Sequence, residues 1–444
     1  LRREVRKYTV RCALICGAYI AAVTAAVLAF LRKSSNAYLV LYFAGAVFIL
    51  VFAVLNLDKR KRLVTRNIRI NKPRIVAFGM AAVLTLSVTV MQRDVYALTP
   101  YIMGVSEVEH KTHPVSYDED TGVYTITADS GDFRILHLTD IHLGGSLVSS
   151  YKDYKALHAC YKLIEETKPD LVIVTGDMVF PMGIMSMSLN NQAPVIQFAS
   201  FMRNVGIPWA FTYGNHDTES MATGTREEIC ALYRSLSYKS SGNLLYPYVQ
   251  PDIYGRSNQM IRIENPDGSI RQALFLLDSN DYTGEGINKY DCIHDDQVDW
   301  YAEQVRLLRD EAGETVPSML FFHIPLQEYR TAYELYEQGI SEVKYFFGVV
   351  GETMINPICC SELPSRLFET AVGLGSTQAM FCGHDHYNNI SLEYEGIRLS
   401  YGMSIDYLAM PGIDKSDEQR GAELITIHGD SGFDLCQIRL SDIT

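Results

Sequence analysis

Two histidines, His384 and His386, stand one residue apart behind Gly383, at the end of the apolar run 379–382. A buried strand that stops in a tight turn carrying two imidazoles has the geometry of a metal site. Four further groups lie upstream, each directly after a short apolar run: Asp140 with His142, Asp177 behind Gly176, Asn215-His216-Asp217 behind Gly214, and His323. Carboxylates, imidazoles and one amide together offer the mixed oxygen and nitrogen ligands that divalent cations take. Two such cations sharing a carboxylate neutralise phosphoryl charge and lower the pKa of a water, which is what phosphate ester hydrolysis near neutral pH requires.

The elements that must position these groups alternate in type. The run 134–139 reads as a strand delivering Asp140 and His142, and 151–167 has apolar residues at helical spacing before Pro169. Strand 171–175 delivers Asp177, a helix spans 193–205, and strand 208–212 delivers Asn215 and His216. A hairpin pairs 260–264 with 269–277 across Asn265-Pro266-Asp267-Gly268, and a helix covers 297–310. Strand 317–322 delivers His323, strand 378–382 delivers His384 and His386, and 397–401 follows as another strand. Short strands alternating with helices predict an α/β fold, with candidate ligands at the C-terminal ends of strands. No repeat, Walker-type glycine loop or dinucleotide fingerprint is present.

With these blocks in this order, the chain resembles the calcineurin-like metallophosphoesterases. Within them it is most similar to the purple-acid-phosphatase-like branch of plants and fungi. Leu138-Thr139-Asp140-Ile141-His142, Leu277-Asp278-Ser279, Phe322-His323-Ile324-Pro325 and Gly383-His384-Asp385-His386 carry the likeness, which spans roughly 132–410. The resemblance implies an αββα sandwich of mixed sheets flanked by helices. It also implies that Asp140, His142 and His386 bind one metal, Asn215, His323 and His384 the other, and Asp177 both. His216 would protonate or stabilise the leaving oxygen, with Asp217 orienting its ring. The true purple enzymes place a tyrosine three residues after the bridging aspartate, where this chain has Phe180, and lack the histidine that stands here as His142. One phenolate lost and one imidazole gained implies two divalent ions such as Mn, Fe(II) or Zn and a colourless protein. His110, His113, His137, His158, His294 and His428 match no block, and Tyr282, Tyr329 and Tyr401 are read as packing residues.

The 444 residues divide by charge. Residues 1–93 hold 16 Lys/Arg against 2 Asp/Glu, while the remainder holds 23 against 50. An acidic body is unsuited to a nucleic-acid partner, whose phosphates are bound through Lys/Arg. Seven of nine cysteines lie beyond residue 93 without a disulfide-like spacing, so buried thiols are expected. Three stretches without a charge, about 12–31, 36–57 and 75–92, are long enough to cross a bilayer as helices. The basic segments before the first and after the second belong on the cytoplasmic side.

The expected organisation is a membrane domain over 1–93 with three transmembrane helices, a connector with a first strand over 94–131, and a catalytic domain over 132–444. It predicts an integral plasma-membrane protein with a cytoplasmic N-terminus and an extracytoplasmic catalytic domain. Its function would be hydrolysis of phosphomonoesters or phosphodiesters on a small molecule by hydroxide generated between two metals. The alternatives are a hydrolase of lipid head-group pyrophosphates or phosphodiesters, and a catalytically inactive metal-binding membrane sensor.

Overall fold

The computed structural model describes residues 98–443, apart from 147, 183–185, 187, 241, 284–288, 353–355, 411 and 416–418. The three expected membrane spans lie outside the described residues. Among the described residues, no helix is long and apolar enough to cross a membrane.

Fourteen described strands form two sheets. The smaller contains β3 (Phe133–Leu138), β4 (Leu171–Thr175), β5 (Trp209–Thr212), β13 (Gly421–Ile427) and β14 (Phe433–Arg439), in the order β14-β13-β3-β4-β5. The larger contains β1 (Val115–Tyr117), β2 (Tyr124–Thr127), β6 (Gln259–Glu264), β7 (Ile270–Leu276), β8 (Ser318–Phe321), β9 (Val343–Phe347), β10 (Thr377–Cys382), β11 (Ser391–Tyr394) and β12 (Ile397–Tyr401). Its order is β1-β2-β6-β7-β8-β10-β12-β11-β9. The main helices are α1 (Thr99–Gly104), α2 (Ser150–Thr167), α3 (Gln192–Val205), α4 (Arg226–Leu236), α5 (Asp295–Ala312), α6 (Gln327–Glu337) and α7 (Leu367–Leu374).

The side-chain alternation of each central strand explains the layering. In β3, Phe133 and Ile135 join β8 residues Met319 and Phe321 and β10 residues Ala379 and Phe381 in one buried cluster between the sheets. The intervening Leu136 and Leu138 pack instead with Leu157, Leu163, Phe198 and Phe201 of α2 and α3. On the far side, Leu320 and Met380 pack with Val298, Tyr301 and Val305 of α5. A strand buried on both faces must be apolar at nearly every position, and β4 is buried at all five. The result is helices, sheet, sheet, helices.

Strands β3, β4 and β5 run parallel to one another, as do β8 and β10 in the other sheet. The loops after β3, β4 and β5 therefore leave the small sheet at the same end. The segment 94–131, expected to be a connector with one strand, contributes two. β2 pairs in parallel with β6, so β1 and β2 form the outer edge of the large sheet.

Close approach is needed where β10 ends. A Cβ at Gly383 would stand 1.9 Å from Thr139 Oγ1 and 2.8 Å from Asp140 Oδ2. Overpacking at so tight a point costs about 1–3 kcal/mol. Gly383→Ala is expected to lower the urea midpoint by a corresponding amount with an unchanged m-value, and an unaltered midpoint would show that the strand ends have room to separate.

Candidate metal centre

Strand ends alone do not aim ligands; the turns that follow do. Asp140, His142, Asp177 and His384 all have left-handed backbone, with φ of 52°, 51°, 47° and 79°. A residue with a Cβ pays for that conformation, and such strain concentrates where a side chain must be held in a particular direction. Gly176, at φ 75°, precedes Asp177 and leaves no room for a Cβ against the backbone of Gly214.

These turns bring the expected residues into two adjoining groups. Asp140, His142, Asp177 and His386 form one, and Asp177, His323 and His384 the other, with the potential ligand atoms of each group within 4.8 Å of one another. His142 Nε2 lies 3.3 Å and His323 Nε2 3.1 Å from the same oxygen, Asp177 Oδ2. His386 Nε2 stands 3.4 Å from Asp140 Oδ1. The other oxygen of Asp177 accepts the backbone N–H of His216 at 2.8 Å, and the other oxygen of Asp140 accepts the backbone N–H of His384 at 3.1 Å.

Asp140 Oδ1, Asp177 Oδ2, Asn215 Oδ1, His142 Nε2 and His323 Nε2 are buried without a hydrogen-bond partner. Buried polar atoms are almost always paired, because leaving one unpaired costs about 1–3 kcal/mol. Five such atoms at one place, drawn from every expected block except the last, fit two cations with Asp177 between them. Asp177 belongs to both groups.

The charges support this fit. Burial alone would raise the Asp140 carboxyl, but His386 outweighs it and holds the group at about 2. Burial likewise opposes ionisation of Asp177, yet His323 and His216 hold it well below the usual carboxylate range. Burial disfavours charge on His323 too, but Asp177 prevails and raises it to about 9. His384, desolvated and beside His323, falls to about 3 and keeps a free lone pair. Protons on histidines here balance carboxylates that cations would otherwise balance.

Three neighbours depart from the sequence reading. Asp217 does not orient His216: its carboxylate accepts the backbone N–H groups of Asp177, Met178, Val179 and Gly214, tying the two loops together. The His216 ring is held by Glu219, 2.6 Å from Nδ1. Asp406, which the sequence did not single out, takes His386 Nδ1 at 3.1 Å and lies 3.7 Å from His142 Nδ1. Backbone N–H groups of Leu408, Ala409 and Met410 fix that carboxylate. Phe180 is buried against the rings of His142 and His216, so no phenol is present there.

Residues 133–388, more than half of the chain, match the calcineurin-like phosphoesterase family. The chain belongs to that family. It is 28% identical over 310 residues to "Probable inactive purple acid phosphatase 28" of Arabidopsis thaliana, covering 63% of this chain and 72% of that protein. It is 30% identical over 313 residues to "Phosphatase DCR2" of Saccharomyces cerevisiae, covering 66% of this chain and 50% of that protein. A crystal structure of a dimetal phosphatase from Danio rerio superposes with a TM-score of 0.45 at 10% identity, covering 69% of this chain and 96% of that one. As a calcineurin-like phosphoesterase the chain is a phosphoric ester hydrolase with a candidate binuclear site of Asp and His residues.

Metal loading must displace the His323 proton, which the metal-free site keeps below about pH 9. Against the opposing effect of burial, Asp140 and Asp406 raise His386 well above the usual histidine range, so it must lose its proton too. Manganese affinity is therefore expected to rise from pH 6 through pH 9, with proton release at pH 7 seen by calorimetry in buffers of different ionisation enthalpy. Affinity independent of pH would contradict the charge balance.

Proposed function

We propose that this chain is a membrane-anchored phosphohydrolase acting on a phosphomonoester or phosphodiester with two divalent ions. The observation that carries the reading is the set of unpaired buried donors grouped on both sides of Asp177. Asp140, His142 and His386 would hold one ion, Asn215, His323 and His384 the other, and Asp177 both. When bound, the two ions supply charge neutralisation at the phosphoryl oxygens and a water of lowered pKa.

The protein's own groups do the rest. Glu219 accepts from His216 Nδ1 and so fixes the ring, leaving Nε2 to meet the leaving oxygen of the ester. Against the opposing effect of burial, proximity to Asp177 and Glu219 raises the His216 pKa, which favours the protonated ring as proton donor. Asp217, through its four backbone N–H partners, keeps the Asp177 and Asn215 turns in register. A purely structural metal site would need neither His216 nor its carboxylate partner, which favours catalysis over a sensor role.

The three charge-free stretches of residues 1–93 carry the proposal of anchoring, and the basic segments beside them that of an extracytoplasmic catalytic domain. The same stretches favour a second reading, a phosphorylated lipid as substrate. Preference for detergent-dispersed lipid phosphates over soluble aryl phosphates would select it.

Asp177→Asn removes the shared charge. Its effect on aryl phosphate turnover with added manganese is expected to exceed the 10- to 100-fold loss typical of a changed outer partner of a metal ligand, and wild-type-like turnover would refute the reading. With Phe180 in the tyrosine position, ferric iron should give no tyrosinate absorption band; a purple protein would contradict the proposed ligand set.

A further inference from the structure

The two metal positions differ in what surrounds them. Around His142 and His386 the outer partner is a carboxylate, Asp406. Around Asn215 and His384 it is a pair of tyrosines on two facing antiparallel segments. Asn215 Nδ2 donates to the Tyr282 hydroxyl at 2.8 Å, and the His384 and Tyr290 rings meet nearly perpendicular, 4.4 Å between centroids. Tyr282 and Tyr290 form an antiparallel bridge and stack at 5.7 Å.

The two segments are themselves held in place. Asp291 N–H donates to the Asp281 carbonyl at 3.0 Å, and Thr283 N–H to the Lys289 carbonyl at 3.0 Å. Arg226 reaches Asp281 at 3.4 Å, and His294 reaches Asp291 at 3.0 Å. The two tyrosines are thus brought to the ligands by an anchored support.

An amide ligand needs such support more than a carboxylate does. Its two ends are chemically different, and only the oxygen is a useful donor to a divalent ion. A phenol that accepts the amide hydrogen decides which end faces the centre, and here the end left without a partner is the buried Asn215 Oδ1.

We propose that Tyr282, supported by Tyr290, is the positioning residue of the metal site formed by Asn215, His323 and His384, so that this site is tuned separately from the one served by Asp406. The inference rests on the two-metal reading above. Outer partners of metal ligands typically contribute 10- to 100-fold in affinity.

The test is manganese titration of the full chain, followed by calorimetry and by the electron paramagnetic resonance of the loaded protein. Wild type is expected to bind two ions. Tyr282→Phe, which removes one oxygen and keeps the ring, is expected to weaken one binding event at least tenfold, leave the other within twofold, and give an isolated-manganese signal at intermediate loading. Tyr290→Phe keeps the ring against His384 and is expected to leave both events unchanged. Two unaltered events in Tyr282→Phe, or equal weakening of both, would overturn this inference while leaving the two-metal reading intact. Fewer than two ions in wild type would overturn both.

Discussion

One carboxylate oxygen governs this fold. Asp177 Oδ2 sits within 3.3 Å of imidazoles from both sheets, His142 from the β3 turn and His323 from the β8 turn, without a well-aligned hydrogen bond to either. To place it there, two sheets must end at the same level, and their connecting turns must accept left-handed backbone at residues with side chains. Most of the surrounding structure can be understood as meeting that demand. The apolar layer between the sheets brings β3 and β4 against β8 and β10, and Asp217 stitches the β4 and β5 turns.

The cost is concentrated in a small volume. Several like charges and strained turns are packed where water has been largely removed, an arrangement unfavourable to stability and useful only if something of opposite charge enters. Protonated histidines moderate it at neutral pH, as the raised pKa of His323 shows. Cations would relieve it further, so metal binding and local order should be coupled.

Much of this was legible in the sequence because the central strands are covered on both faces. Such strands are short, uninterrupted apolar runs, and 171–175 and 397–401 coincide with β4 and β12. The candidate ligands were legible for the same reason, since each follows such a run. The elements of 218–257 and 326–376 were harder to see. α6 buries only Tyr329 and Ala332, and β9 is exposed or half-buried beyond Val343, so neither shows a clear period. Outer partners were harder still. Asp406 lies 20 residues beyond His386 and Tyr282 lies 67 beyond Asn215, distances over which no local pattern links a ligand to its support. Glu219 was three residues from His216, yet Asp217 was the nearer acid. Only the backbone direction, which turns Asp217 toward four N–H groups, decides between them.

The central claim is that Asp177 is shared by two cations. Crystals of the manganese-loaded protein, measured at the manganese absorption edge, test it without reference to any substrate. The account predicts two anomalous peaks, both in contact with the Asp177 carboxylate, one also touching His142 and His386 and the other His323 and His384. A single peak, or two that do not share Asp177, would contradict it.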